Sequence, residues 1–380
     1  MEKCVVRGTL VTDDGIVPDG EIEIQGSRIV AINKRAFHKE PTFHWKDGWI
    51  FPGLVDVHVH GTAGVDVTDG TAESFSILDQ ALAQLGCTRY LATTMAMPSE
   101  RLLAVFNAAE LFKKADESGL LGIHMEGPFI SPEHAGAQGA EYIRNPSLSE
   151  LQSYCLRFPS LVRRITLAPE LPGASSLVGF CLEAGIKVSA GHSHATFEQA
   201  MVTFNAGVNQ ATHLFNAMPP MHHRDPGLVG AALKHPDVTV ELIVDGVHLH
   251  PATVQLVSRL KGPDRVVLVT DAMRATLLSD GIYDLGGQSV TVQEGVARNA
   301  NGNLAGSTLI LLKAIFQYQE YAGVDLPEAV RAASLIPARM AGLKDIGALQ
   351  PGYAADFLFV DSNGTNRMTW RNGRVLYDGR

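Results

Sequence analysis

Apolar and polar positions alternate in short runs over the first fifty residues. Val5 to Thr12, Glu21 to Gln25 and Arg28 to Asn33 are β-rich, and the turn formers Asp13-Asp14-Gly15, Asp19-Gly20 and Gln25-Gly26 punctuate them. This pattern predicts antiparallel hairpins. After Phe51-Pro52-Gly53 the rhythm becomes apolar strand, polar turn, amphipathic helix, and it repeats. The strand segments are Leu54 to His60, Thr88 to Thr93, Gly122 to Glu126, Arg164 to Ala168, Lys187 to Ala190, Gln210 to His213, Thr239 to Val244 and Arg265 to Thr270. Apolar residues recur at helical spacing between them, as in Ala72 to Leu85, Pro98 to Lys114 and Ser176 to Glu183. Such alternation implies a parallel sheet, and at this length it predicts an α/β fold built on a closed (β/α)8 TIM barrel. From Ile346 onward short strands and tight turns return, over Ala355 to Val360 and Met368 to Leu376. The two ends are expected to pair into a small β-sandwich, residues 1–52 plus 346–380, beside a barrel of residues 53–345.

Composition narrows the partners. The 380 residues are 46% hydrophobic, enough for a large core and incompatible with a disordered or collagenous chain. Against 31 Lys and Arg stand 40 Asp and Glu, a net charge of -9, so no basic field invites nucleic acid or an anionic membrane. Cys4, Cys87, Cys155 and Cys181 form no CxxC pair and read as small core thiols in a reducing, cytoplasmic setting. The first residues lack a signal-peptide pattern, and no apolar run approaches the roughly 18 residues that span a bilayer.

In such a barrel the chemistry belongs at the C-terminal strand ends, where the loops form the mouth. In Asp56-Val57-His58-Val59-His60, residues i and i+2 of a strand share a face, so both imidazoles can meet one ion; a surface pair on an edge strand is the alternative. Other strands also end in ligand types: Glu126, His192, His213 and Asp271. Imidazole and carboxylate donors with a position open for water suit Zn²⁺ or Fe²⁺ in a hydrolytic site. Asp271 is placed as a general base, or as a helix N-cap. Arg224 can clamp a phosphate or pair with Asp225. His248 follows a strand and offers a donor at the mouth, while His222, His223 and His250 read as solvated and His124 as a hydrogen-bonded core histidine. Asn303-Leu304-Ala305-Gly306-Ser307-Thr308 precedes an apolar helix from Leu309 to Phe316. Its small residues allow close approach of a ligand, and Ser307 or Thr308 is a possible N-cap. Glycine-rich nucleotide motifs are absent.

Pro52-Gly53-Leu54-Val55-Asp56-Val57-His58-Val59-His60, Asp271 and Leu349-Gln350-Pro351-Gly352-Tyr353-Ala354-Ala355-Asp356 resemble the amidohydrolase superfamily over the whole chain. The closer resemblance is to the N-acetylglucosamine-6-phosphate deacetylase family. It is carried by His124-Met125-Glu126-Gly127-Pro128-Phe129, Gly191-His192-Ser193, His213-Leu214-Phe215-Asn216-Ala217-Met218, Asp245-Gly246-Val247-His248, Thr270-Asp271-Ala272 and Leu304-Ala305-Gly306-Ser307. It implies hydrolysis of an acetamide on a sugar phosphate to acetate and the amine. Glu126, His192 and His213 would hold the main divalent ion, Asp271 would act as acid and base, and His58 and His60 would admit a second ion. It further implies that Asn216, Ala217, Arg224 and His248 contact the sugar phosphate and that Ala137, Leu304, Ala305 and Gly306 line the sugar pocket. A homodimer is implied, with the arginine reaching across.

One position departs from that family. Gln138 stands where a histidine usually contacts the sugar ring, which leaves the epimer open; Met221-His222-His223-Arg224 is similar to the N-acetylgalactosamine-6-phosphate deacetylases. A deaminase or cyclic amidase and a non-catalytic barrel of the same ancestry are the rival classes.

Overall fold

The computed structural model describes residues 3–114 and 118–380. Strands β1 (Lys3–Thr12), β2 (Gly15–Gln25) and β3 (Arg28–Asn33) are followed by short β4 (Phe43–His44) and β5 (Trp49–Pro52). Then come β6 (Leu54–Val59), a small ladder of β7 (Gly61–Thr62) and β8 (Val65–Asp66), β9 (Cys87–Thr94), β10 (Leu120–Glu126) and β11 (Val162–Leu167). β12 (Lys187–Ala190), β13 (Gln210–Ala211), β14 (Thr239–Leu242) and β15 (Val266–Leu268) complete the central series. β16 (Gly281–Leu285), β17 (Gln288–Gln293) and β18 (Val296–Asn299) form a separate antiparallel sheet, and β19 (Phe357–Val360), β20 (Asn366–Arg371) and β21 (Arg374–Asp378) end the chain.

Eight parallel strands pair in the order β15-β14-β13-β12-β11-β10-β9-β6, which are the eight segments the alternation predicts. Their residues explain the arrangement. Every residue of β6 is buried, as a parallel strand covered on both faces requires. The ring closes at the mouth between the first and last strands. Asp271 N donates to His58 O (2.9 Å), and the amides of His60 and Gly61 both donate to Ala272 O (2.9 Å each). Closure therefore sets the ends of β6 and β15 side by side.

The chain termini build one hydrogen-bonded unit, in the order β21-β20-β19-β5-β1-β2-β3, with β4 on β1. Its own apolar cluster includes Val6, Leu10, Ile22, Ile24, Ile50, Phe357 and Phe359. Polar clamps join it to the barrel: Arg89 Nε donates to Asp356 Oδ2 (2.8 Å), and Arg371 pairs with Asp79 (2.9 Å). Inside this unit Glu21 is buried and receives Arg7 Nε (3.0 Å) and His38 Nδ1 (2.9 Å). Burial alone would raise its carboxyl, but the His38 and Arg7 hydrogen bonds outweigh it and hold the group at about 2, below the ordinary 4.5. A depressed folded-state value contributes stability above the unfolded value and loses it as pH falls toward the folded one. The denaturation midpoint of wild type should therefore exceed that of Glu21→Gln above about pH 5, with the gap shrinking as pH falls toward 3. A pH-independent gap in urea titrations would refute this.

Two sequence expectations change. The apolar helix begins at Leu311, with Ile310 at the cap position and no side-chain cap. Ser307 does not cap it: its hydroxyl donates to Thr270 O (2.6 Å) and accepts Leu309 N (2.9 Å), while Thr308 Oγ1 donates to Gly295 O. The β16 to β18 sheet is not among the predicted strands. Gly286-Gly287 and Glu294-Gly295 around the alternating Ser289-Val290-Thr291-Val292 are its signal. The four cysteines are free, Cys87 and Cys181 buried. Among the described residues no helix is long and apolar enough to cross a membrane.

Candidate active site

Glu126 ends β10 at the centre of the barrel mouth, and four imidazoles converge on it. Its Oε1 lies 3.0 Å from His213 Nε2, 3.2 Å from His192 Nε2 and 3.3 Å from His58 Nε2; its Oε2 lies 3.3 Å from His60 Nε2. Asp271 Oδ1 is 3.1 Å from His60 Nε2 and 3.6 Å from His58 Nε2. All six are buried. They fall into two groups whose donor atoms lie within 4.8 Å of one another: Glu126, His192 and His213, and His58, His60 and Asp271. The HxH alternative of a surface pair is thereby removed.

Backbone strain accompanies this convergence. His192, His213 and Asp271 have φ of 48°, 28° and 50°, and Phe215 and Ala217 in the same loop have 78° and 50°. Non-glycine residues rarely adopt left-handed backbone, and such departures concentrate at functional sites. Gly306 (φ 61°) has a steric reason as well, since a Cβ there would sit 3.1 Å from Asp271 O.

The donor chemistry fits a divalent ion. His58 Nδ1 lies 3.1 Å from Glu241 Oε2, and His192 Nδ1 lies 2.8 Å from His134 O. Those acceptors place the proton on Nδ1 and leave each Nε2 lone pair aimed into the cluster. His192 Nε2 and His213 Nε2 stand 3.1 Å apart, and His58 Nε2 is buried without a hydrogen bond. Converging lone pairs of this kind are what an N/O cation site presents. Without an ion, burial opposes charge on His60, but Asp271 and Glu126 outweigh it and lift the imidazole to about 9. Glu126 goes the other way: burial would raise it, and the imidazoles of His58 and His192 hold it well below the carboxylate range. Glu241, raised by burial but held down by Arg164 and His58, stays at about 2.

Above the cluster opens a cavity of about 410 Å³, the size of a small-molecule site. Of the residues expected from sequence, His60, Glu126, Ala137, Gln138, His192, His213, Asn216, Ala217, His248, Asp271, Leu304 and Gly306 line it. His58 lies beneath the floor, and Ala305 is buried behind its two neighbours. Arg224 is exposed and off this cavity; its NH1 contacts His223 Nε2 (2.9 Å) and not Asp225. His124 is a core histidine, bonded to Thr166 Oγ1 (2.7 Å) and Thr93 Oγ1 (3.3 Å). His250 caps the helix Pro251–Lys261 through Ala252 N. The chain after Asp271 leads into β16 rather than a helix, so the N-cap alternative falls away.

Gln138 is already committed. A backbone N–H can only donate, so Ala96 N (2.6 Å) fixes the amide oxygen at that end and turns Nε2 onto Glu126 Oε2 (2.9 Å). Likewise Asp245 accepts His248 Nδ1 (2.7 Å) and the amides of Val247 and His248, leaving His248 Nε2 for the cavity. Sequence reasoning missed Met95, Glu133, His134 and Phe215 among the lining residues, and Leu285 from the unforeseen sheet, whereas Asn303 lines the cavity at the head of the Asn303 to Thr308 loop. It also missed Glu241 and Arg164. Their signal was present: charged residues inside apolar barrel strands.

The Amidohydrolase family profile matches residues 49–376. The chain is 39% identical over 333 residues to the N-acetylglucosamine-6-phosphate deacetylase of Lysinibacillus sphaericus, covering 86% of this chain and 85% of the relative. It is 35% identical over 373 residues to the N-acetylgalactosamine-6-phosphate deacetylase of Escherichia coli O157:H7, covering 96% and 97%. Among solved structures, a mutant N-acetyl-D-glucosamine-6-phosphate deacetylase from Mycobacterium smegmatis, in complex with N-acetyl-D-glucosamine-6-phosphate, superposes with a TM-score of 0.95. That match has 32% identity and covers 99% of this chain and 100% of that one. A metal-type cluster at the strand ends of a barrel, matched along nearly its whole length by such proteins, places this chain in the amidohydrolase family, among the relatives of the N-acetylglucosamine-6-phosphate deacetylases.

Proposed function

We propose that this enzyme removes the acetyl group of N-acetylglucosamine 6-phosphate by hydrolysis, giving acetate and glucosamine 6-phosphate. The observation that carries the reading is the convergence of Glu126, four histidines and Asp271 on the floor of a cavity sized for one sugar phosphate. Glu126, His192 and His213 would hold one divalent ion, zinc or iron, and His58 and His60, with Asp271, would admit a second. A divalent ion bound there supplies Lewis acidity, acidifying water and polarising the acetyl carbonyl.

The remaining work belongs to side chains. Asp271, at the end of β15, takes a proton from the attacking water as oxygen adds to the acetyl carbon. It returns that proton to the amide nitrogen as the C–N bond breaks, so the products are acetate and the free amine. His248, oriented by Asp245, faces the substrate from the cavity wall, and Asn216 and Ala217 approach it from the loop after β13. Ala137, Leu304 and Gly306 bound the sugar, with Ala305 setting the backbone between the last two. Gln138 holds Glu126 and has one remaining N–H for the ring.

Arg224 fits a phosphate clamp supplied to a second copy of the chain in a cytoplasmic homodimer, because it is exposed and misses its own cavity. Losing a charged hydrogen bond worth about 1.5–3 kcal/mol should lower kcat/KM of Arg224→Ala roughly 10- to 150-fold, mostly through KM. Mixing Arg224→Ala with Asp271→Asn chains should recover activity in mixed dimers; absence of recovery would place the arginine in cis or elsewhere. The N-acetylgalactosamine 6-phosphate reading stays second, supported by the 35% identity to the Escherichia coli O157:H7 relative and by Gln138. Acetate release from both phosphosugars and their unphosphorylated forms tests the choice. The 6-phosphate of the gluco epimer should be the best substrate, and no acetate from either phosphosugar would refute the assignment.

A further inference from the structure

Glu241 and Arg164 meet inside the barrel, below the metal-type cluster, from strands that are not neighbours. Arg164 on β11 and Glu241 on β14 are 1% and 0% exposed and form an ion pair through NH1 and Oε1. Replacing such a buried pair with apolar residues often costs nothing, so stability alone is a weak reason for it. Its geometry supplies another. The free oxygen of Glu241, Oε2, takes His58 Nδ1 (3.1 Å) and the backbone amide of His213 (3.1 Å), and the carbonyl of Glu241 takes Leu214 N (2.9 Å). One carboxylate oxygen thus touches a member of each donor group.

The contact with His58 decides which nitrogen is bare. Glu126 Oε1 (3.3 Å) and Asp271 Oδ1 (3.6 Å) face His58 Nε2 and would draw a proton there, which would remove the lone pair a cation needs. Glu241 competes for that proton from the opposite side of the ring. Arg164 prevents its carboxylate from turning away. A carboxylate behind a metal-binding imidazole typically contributes 10- to 100-fold to affinity.

We propose that Glu241, clamped by Arg164, is a positioning residue that presents His58 with Nε2 bare and pins His213, thereby setting the ion affinity of the cluster. This rests on the cation reading of the cluster. The test compares wild type with two double variants: Arg164→Met with Glu241→Met, which keeps bulk and removes the acceptor, and Arg164→Gln with Glu241→Gln, which restores a neutral acceptor. Zn²⁺ affinity and stoichiometry are measured by chelator competition, beside melting of the metal-stripped proteins. The methionine pair should fold and lose about 10- to 100-fold in affinity for the weaker-held ion, and the glutamine pair should return close to wild type. Equal affinity in wild type and the methionine pair overturns the proposal, as does a glutamine pair as weak as the methionine pair. Should wild type bind a single ion, the two-ion reading fails, and the same comparison on that ion decides the role of Glu241. Nitrogen NMR of histidine-labelled, zinc-loaded wild type gives an answer without any variant. Zinc on Nε2 with the proton on Nδ1 of His58 is expected, and the reverse arrangement overturns the proposal.

Discussion

Asp271→Asn should retain its metal and lose at least ~10²-fold in kcat, the lower end of what a positioned acid or base contributes. Asparagine keeps the shape of the side chain and leaves an oxygen that can stay near His60, now 3.1 Å from Oδ1. What it cannot do is accept a proton from water and pass it to nitrogen. Barrel closure makes the position suitable, since the amide of Asp271 is tied to His58 O while its side chain stands at the cavity floor. Steady-state acetate release with metal content measured on the same sample checks the expectation. Turnover near wild type with metal bound would remove Asp271 from the proton transfers.

Glu126→Gln should be at least as damaging, for a different reason. One carboxylate oxygen faces His58, His192 and His213, and the other faces His60 and Gln138. An amide here sets an N–H donor among the converging nitrogens and removes the carboxylate charge that faces histidines of both donor groups. Outer contacts of metal ligands already contribute 10- to 100-fold, so loss of this central one should lower Zn²⁺ affinity by more than ~10²-fold. Elemental analysis after dialysis and acetate release at fixed free zinc separate lost metal from lost chemistry. A variant that still holds one ion at wild-type affinity would show that Glu126 is not its ligand.

Local periodicity made much of this legible. The eight barrel strands, the paired terminal segments and the strand-end residues Glu126, His192, His213 and Asp271 all follow from apolar runs whose length and spacing report the backbone directly. His58 and His60 share a face because a strand has period two. His124 was legible as a core histidine for the same reason, and its two threonine partners agree. Short-range pattern served less well where the chain left the barrel's rhythm. The β16 to β18 sheet hid between the last strand and its helix, and Ser307 turned toward Thr270 instead of capping a helix. Arg224 could be read two ways from sequence, and neither Asp225 nor this chain's own cavity receives it.

The sequence by itself determined the fold class, the kinds of donor and the strand ends that carry them, because each depends on residues a few positions apart. Tertiary structure alone decided how those ends meet. Closure of β6 on β15 sets His60 against Asp271, and left-handed backbone at His192, His213 and Asp271 turns their side chains inward. Nδ1 contacts with Glu241 and His134 choose the bare nitrogens of His58 and His192, and Ala96 N commits Gln138 to Glu126. The physical reason is reach. A hydrogen bond or an ion pair depends on distances of about 3 Å between strands far apart in the chain, and only closing the barrel brings those groups within that range.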